Sequence, residues 1–183
     1  MCCLLRRATA PVGRMSVSMF VGCTLCVHVG VAQDKVSTGG LREVRMIQAA
    51  GNKLVFSPDG KRLAGITDRV KARIWEVETG KELRVLTLPR QIWIIAFSPD
   101  GKRLVANENY TIRVWELESG KEIRSWQTPA FTRHVLFTAN GRRIISGHDD
   151  GIIRIWDAET AGLVRTLRGH TDWVPGLALS LGC

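Results

Sequence analysis

A tryptophan recurs three times in this chain at the end of a similar short segment. The segments read Arg-Ile-Trp-Glu, Arg-Val-Trp-Glu and Arg-Ile-Trp-Asp, and Trp75, Trp115 and Trp156 are 40 and 41 residues apart. A large indole that recurs at such an interval indicates one supersecondary unit used repeatedly. The sequence therefore predicts a series of repeats in which each unit buries apolar surface against its neighbours.

A second recurring motif precedes each tryptophan and predicts a β-hairpin. Residues 56–63 read Phe-Ser-Pro-Asp-Gly-Lys-Arg-Leu, residues 97–104 repeat the same letters, and residues 137–144 repeat them loosely. Proline presets φ and glycine accepts a positive φ, so this motif between apolar runs builds a tight turn. Further turns flank each tryptophan segment. The pattern predicts four short antiparallel strands per unit and no helical period.

Together these spaced features resemble the WD-repeat (WD40) β-propeller family. The resemblance runs from about Leu41 to Ser180, and Gly169-His170 resembles the pair that opens a blade in that family. It implies an all-β fold: an incomplete β-propeller of three full four-stranded antiparallel blades plus flanking single strands. A signal-like helix is expected before them, from the separate pattern of residues 1–32. The expected propeller fragment covers 41–183, with blades at about 50–88, 90–128 and 130–169.

Blades of that family are often pinned by a hydrogen-bonded tetrad of His, Ser or Thr, Asp and Trp. The resemblance assigns structural repeat positions in this chain to Trp75, Trp115, Trp156, Asp157, Ser146, Asp150 and His170. The third unit supplies Ser146, Asp150 and Trp156, but the loop before it has no histidine. No unit has all four members, so we expect the tryptophans to be held mainly by apolar packing.

No motif of the chain points to catalysis. It has no Gly-rich phosphate loop, nucleophile elbow or zinc motif. His148-Asp149-Asp150 is interpreted as a turn, because consecutive turn residues rarely supply convergent metal ligands. We expect no catalytic residue, metal or cofactor, and a non-catalytic scaffold that mediates protein–protein interaction with a protein or peptide partner. The alternatives are the propeller part of an exported or multidomain enzyme and a non-functional truncated product.

The positive charge of the chain is spread through the repeats. Lys and Arg number 26 against 17 Asp and Glu, which gives a net charge of +9. A nucleic-acid site is expected to show a clustered basic footprint, so this distribution argues against a nucleic-acid partner. The Lys-Arg and Arg-Arg pairs of the hairpins are interpreted as solvated positions that discourage edge pairing.

Residues 1–32 have the pattern of a signal peptide. They contain arginines and no acidic side chain, continue through a mostly apolar run from Val17 to Val31, and end in small residues. The run is short for a stable membrane span. We expect a periplasmic or extracellular location if this segment is a signal peptide and a cytoplasmic location otherwise. An organelle transit peptide and a start at Met15 are the rival interpretations, and residues 33–40 form a polar linker.

Three full units are fewer than a closed ring requires, since propellers typically use 4–8 blades. After Ser180 the family pattern has Pro-Asp-Gly, whereas the chain reads Leu-Gly-Cys. We therefore expect a fragment of a larger propeller. Its open blade edges are capable of self-association.

Overall fold

The computed structural model describes residues 53–179 together with two short paired strands, β1 (Val17–Ser18) and β2 (His28–Val29). This part of the chain is all-β and contains no helix, as the repeats predicted. β1 and β2 are strands within 1–32, where a signal-like helix was expected; the rest of that segment, the linker and the flanking strand expected before the first blade lie outside the described residues. The described residues after β14 (Leu163–Leu167), 168–179, form no strand, so the flanking strand expected after the last blade is not observed there. None of the described segments is a helix long and apolar enough to cross a membrane.

The remaining strands form three four-stranded antiparallel sheets, each running in chain order. The first sheet contains β3 (Leu54–Phe56), β4 (Arg62–Ile66), β5 (Lys71–Glu76) and β6 (Glu82–Thr87). The second contains β7 (Ile94–Phe97), β8 (Arg103–Glu108), β9 (Thr111–Glu116) and β10 (Glu122–Gln127). The third contains β11 (Thr132–Phe137), β12 (Arg143–His148), β13 (Ile153–Asp157) and β14 (Leu163–Leu167). The three expected blades are therefore confirmed.

The repeated hairpin motif closes its turn with its own side chains. Ser57 Oγ donates to Asp59 Oδ1 at 2.6 Å, and the same carboxylate oxygen accepts the Lys61 backbone N–H at 3.0 Å. Gly60 adopts a φ of 68°, which glycine reaches without a steric penalty. The second hairpin repeats this arrangement, and the third uses Thr and Asn in place of Ser and Asp.

The apolar core lies between neighbouring sheets, and the tryptophans fill much of it. Trp115 is buried with Ile74 and Leu86 of the first sheet, and Trp156 is buried with Val114 of the second. Trp75 packs against the first sheet's own side chains. An aromatic side chain buries about 150–250 Å², which at about 25 cal/mol per Å² favours stacking by about 4 kcal/mol or more before entropy losses.

Arginines link each sheet to the next. Arg62 Nη1 donates to the Gly101 carbonyl at 3.3 Å, and at the equivalent repeat position Arg103 Nη2 donates to the Gly141 carbonyl at 2.8 Å. Our interpretation of both arginines as solvated positions is therefore wrong. Each is partly buried because its guanidinium reaches across to the hairpin of the next sheet.

The two edges of the stacked sheets carry different connections. The hairpin edge holds the repeated hairpins at 57–61, 98–102 and 138–142. The loop edge, opposite to it, holds the connections between second and third strands and those that lead to the next sheet. These loop-edge connections are residues 67–70, 88–93, 109–110, 128–131 and 149–152. The segment 168–173, which follows β14, lies at the same edge beside Gly151 and Arg133.

Candidate functional site

A buried chain of hydrogen bonds runs through the third blade towards the loop edge. The Trp156 indole N–H donates to Ser146 Oγ at 2.7 Å, and Ser146 Oγ lies 2.7 Å from His148 Nε2. All three residues are buried. The hydroxyl accepts the indole N–H. In the neutral ring the proton is assigned to Nδ1, because Nδ1 faces the Ala130 carbonyl, which can only accept, and Nε2 then accepts the Ser146 hydroxyl.

The other face of this histidine holds the connection that precedes β11. His148 Nδ1 lies 3.2 Å from the Ala130 carbonyl and 3.3 Å from the Thr132 hydroxyl. The Thr128 hydroxyl donates to the same carbonyl at 2.9 Å. Burial lowers the pKa of His148 below its ordinary value, because desolvation penalises the imidazolium. The network therefore stabilises one conformation of the 128–131 connection.

Asp150, which the resemblance placed with Ser146 and Trp156, binds elsewhere. Its carboxylate accepts hydrogen bonds from Arg154 Nη1 at 3.1 Å and Nη2 at 2.6 Å, and from the backbone N–H of Ile152 at 3.1 Å. The hydrogen bonds from Arg154 hold the pKa of Asp150 below its ordinary value. Sequence reasoning gave His148 no role. The available signal was its spacing, since residues two apart on a strand share a face.

The two remaining predicted positions of this region lie at turns. His170 is exposed in the 168–173 connection. Asp157 accepts the backbone N–H groups of Glu159 at 3.1 Å and Thr160 at 2.9 Å, and so closes the turn after β13. Neither residue belongs to the hydrogen-bond chain around Trp156.

Trp75 and Trp115 lack an equivalent network. Gly65 and Ala106 occupy the repeat position of Ser146, as the strand register shows. Among residues 53–179, neither indole nitrogen has a hydrogen-bond partner, so these two side chains are held by packing.

In the second blade Glu108 stands where the third blade has His148, a residue that sequence reasoning did not single out. Its Oε2 accepts Arg113 Nε at 3.0 Å, and its Oε1 is buried without a partner in the described part of the chain.

Exposed side chains around the half-buried Phe131 form an aromatic patch at the loop edge, which we define as Trp93, Tyr110, Phe131, Arg133 and Trp173. Phe131 lies at its centre, with the Trp93 ring 5.7 Å away at 67° and the Tyr110 ring 5.9 Å away at 86°. Trp93, Tyr110 and Trp173 are 41%, 54% and 43% exposed. Large apolar side chains grouped in this way on a surface mark an interaction site.

Arg133 lies between two rings of the aromatic patch. Its guanidinium carbon is 5.1 Å from the Phe131 ring centroid and 5.3 Å from that of Trp173. Two hydrogen bonds to Asp149, at 2.5 Å and 3.2 Å, fix its orientation and raise the pKa of Arg133. The cation is therefore held against both aromatic faces.

Backbone contacts between blades assemble the aromatic patch. The Thr132 backbone N–H donates to the Asn109 carbonyl at 2.7 Å, which places Tyr110 beside Phe131. The Trp93 indole N–H donates to Asn109 Oδ1 at 2.7 Å. The patch thus depends on the stacking of the second and third blades.

The residues singled out form no cluster suited to a metal. Within residues 53–179, no group of three or more His, Cys, Asp or Glu side chains is placed to hold a metal ion. The carboxylates of Asp149 and Asp150 at the loop edge instead bind Arg133 and Arg154.

Comparison with known proteins agrees with the fold. The family described as "WD domain, G-beta repeat" matches residues 80–116 and 120–157. Two similar solved structures are "Structure of U3-55K" and "Crystal structure of RRP9 WD40 repeats". Each has a TM-score of 0.60 and 23% identity, and the match covers 66% of this chain and 39% of that chain. A comparison with curated proteins finds no match. The chain therefore contains WD40 repeats, at residues 80–157, in an unclosed, propeller-like stack of blades.

Proposed function

We propose that this chain is a non-catalytic scaffold that binds a protein or peptide partner through the aromatic patch. The observation that carries the proposal is the exposed group of rings around Arg133 at the loop edge. Trp, Tyr and Arg are the residue types that most often dominate the binding energy of protein interfaces. WD40 repeats commonly mediate protein–protein interaction, which supports the same proposal.

The aromatic patch is organised before a partner arrives. Trp93 is bound to Asn109, and Arg133 is bound to Asp149. Side chains that already have fixed orientations lose less conformational entropy when a partner binds. A rigid surface of this kind suits recognition of an extended peptide or a loop.

The titratable groups inside the blades support a scaffold and not an enzyme. His148 and Glu108 are both buried. His148 is already hydrogen-bonded on both ring nitrogens, and Glu108 is paired with Arg113. A general acid or base must come within hydrogen-bond distance of its substrate, and these two side chains face protein atoms.

Selection of displayed peptides against the full chain tests the proposal. We expect selected peptides to lose about tenfold or more in affinity when Tyr110→Ala or Trp173→Ala is introduced, since truncation of a hot-spot residue costs about 2 kcal/mol or more and a tenfold loss corresponds to about 1.4 kcal/mol. Leu83→Ala is the matched control, because Leu83 is also an exposed apolar residue but lies on β6. Peptides that bind all three variants equally would contradict the proposal.

We further propose that residues 1–32 direct export and are removed. N-terminal sequencing of the protein from its own host tests this point. A mature chain that begins at Gln33 supports cleavage after Ala32, whereas a chain that keeps residues 1–32 argues against it.

A further inference from the structure

The acidic side chains of the loop edge are already engaged. Asp68 lies 3.3 Å from Lys71 Nζ, and Asp149 and Asp150 are bound by arginines. Asp172 accepts the backbone N–H of Trp173 at 2.7 Å. Asp68, Asp149 and Asp150 are therefore paired with cations, whereas Asp172 is bound only by a backbone N–H.

Three arginines of the same edge form no ion pair within the described part of the chain. Arg69, Arg90 and Arg168 are exposed, and none forms an ion pair with another residue of the 53–179 region. An exposed guanidinium keeps five N–H donors available for a carboxylate. The loop edge thus offers positive charge that its own acids do not neutralise.

These arginines belong to loop-edge segments beside the aromatic patch. The Arg69 carbonyl accepts the backbone N–H of Ile92 at 2.5 Å, next to Trp93. Arg90 belongs to the connection that ends at Trp93, and Arg168 opens the connection that ends at Trp173. The backbone of these arginines therefore lies in or beside the segments that carry Trp93 and Trp173.

We infer that the partner of this surface is an acidic peptide segment with an aromatic or large apolar side chain among its carboxylates. The inference rests on the function proposed above and specifies the partner's chemistry. The apolar side chain packs against the aromatic patch, and the carboxylates pair with Arg69, Arg90 and Arg168. Complementary charge of this kind raises the association rate and excludes basic partners.

The geometry favours a peptide over a single-stranded nucleic acid. Nucleic-acid surfaces offer open ring faces on which successive bases stack. Here Phe131 meets Trp93 and Tyr110 at steep angles of 67° and 86°, and Arg133 covers a face of Phe131.

The peptide selection described above also tests this inference. We expect the selected peptides to be enriched in Asp and Glu around an aromatic or large apolar residue. Their affinity for the full chain should fall when Asp and Glu are replaced by Asn and Gln, and the difference should shrink at high salt.

Matched charge variants locate the acidic contacts. Replacing Arg69, Arg90 and Arg168 with Gln should weaken the binding of a selected acidic peptide about tenfold, since each exposed ion pair changes an equilibrium constant about two- to threefold. The control replaces the hairpin-edge residues Lys61, Lys102 and Arg142 with Gln, which removes the same charge and should change affinity less than about twofold. Circular dichroism of both variants checks that the sheets remain folded.

The outcomes separate the two proposals. Selected peptides that need Tyr110 but are neutral or basic, or that ignore the three arginines, would overturn this inference and leave the scaffold function standing. Peptides whose binding does not depend on the aromatic patch would contradict both the proposed function and this inference. A twelve-nucleotide oligothymidylate that binds with dependence on Tyr110 and the three arginines would also overturn the acidic-peptide inference.

Discussion

Replacing Ser146 with alanine tests the hydrogen-bond chain inside the third blade. The Ser146 hydroxyl is the single link between the Trp156 indole N–H and His148 Nε2, each 2.7 Å away. Alanine leaves both groups buried without that partner. A buried polar group without a partner costs about 1–3 kcal/mol, so we expect Ser146→Ala to lower the free energy of unfolding by about 3 kcal/mol.

Urea denaturation gives the free energy, and hydrogen exchange locates the change. We expect faster exchange in β12 and β13, and unchanged exchange in β8 and β9, where Ala106 already occupies the equivalent position. Ser125→Ala is the matched control, because Ser125 is an exposed serine on β10. Its effect should stay within about 0.5 kcal/mol.

A loss below about 1 kcal/mol for Ser146→Ala, with unchanged exchange in the third blade, would show that the hydrogen bonds through Ser146 do not stabilise this blade. Packing alone would then hold Trp156, as it holds Trp75 and Trp115. A loss of about 3 kcal/mol would show that the three tryptophans are held in two different ways.

Three other perturbations have defined outcomes. The pKa of His148 is lowered in the folded chain, so as the pH falls the unfolded chain binds the proton first. The contribution of neutral His148 to the free energy of unfolding is therefore complete above about pH 6.5 and decreases below it. His148→Gln should weaken this pH dependence in urea titrations. Gly151→Ala should lower the free energy of unfolding by about 2 kcal/mol, because Gly151 has a φ of +71° and a Cβ would lie 2.6 Å from the His170 carbonyl oxygen. Thermal unfolding measures this loss. Leu163 and Leu167 on β14 are 51% and 44% exposed, so replacing both with Lys should reduce self-association in sedimentation velocity.

Each of these perturbations has a control or a contrary result. His134 also has a lowered pKa, so the His148 variant should keep part of the pH dependence; an unchanged profile would count against a buried neutral His148. Gly176→Ala should be neutral, because a Cβ there meets nothing within 4 Å. A wild-type chain that sediments as a sharp monomer at all concentrations would contradict self-association through β14.

The sequence predicted the features that depend on local chemistry. The turn of each hairpin is closed by residues two positions apart, such as Ser57 and Asp59, so its motif could be read directly. The positions of the turns also predicted the strands and their arrangement in groups of four. The inter-sheet contacts of Arg62 and Arg103 could not be predicted, because they depend on how one sheet is placed against the next.

The candidate site was less accessible to sequence reasoning for the same reason. Trp93 and Trp173 belong to connections of different blades, and Arg133 with Phe131 lies between them only after stacking. Asp150 matched the family pattern by position, but Arg154 lies four residues further along and binds its carboxylate. Motif positions predicted the architecture, whereas the side-chain partners depended on three-dimensional register.

The indole N–H signals of the tryptophans in a ¹H–¹⁵N NMR spectrum report whether the aromatic patch binds the partner. On addition of a selected acidic peptide, we predict shifts of the exposed Trp93 and Trp173 signals, while the signal of buried Trp156 stays in place. Trp93→Phe and Trp173→Phe variants assign the two signals. A bound peptide that leaves both signals unchanged would show that the peptide does not bind at the aromatic patch.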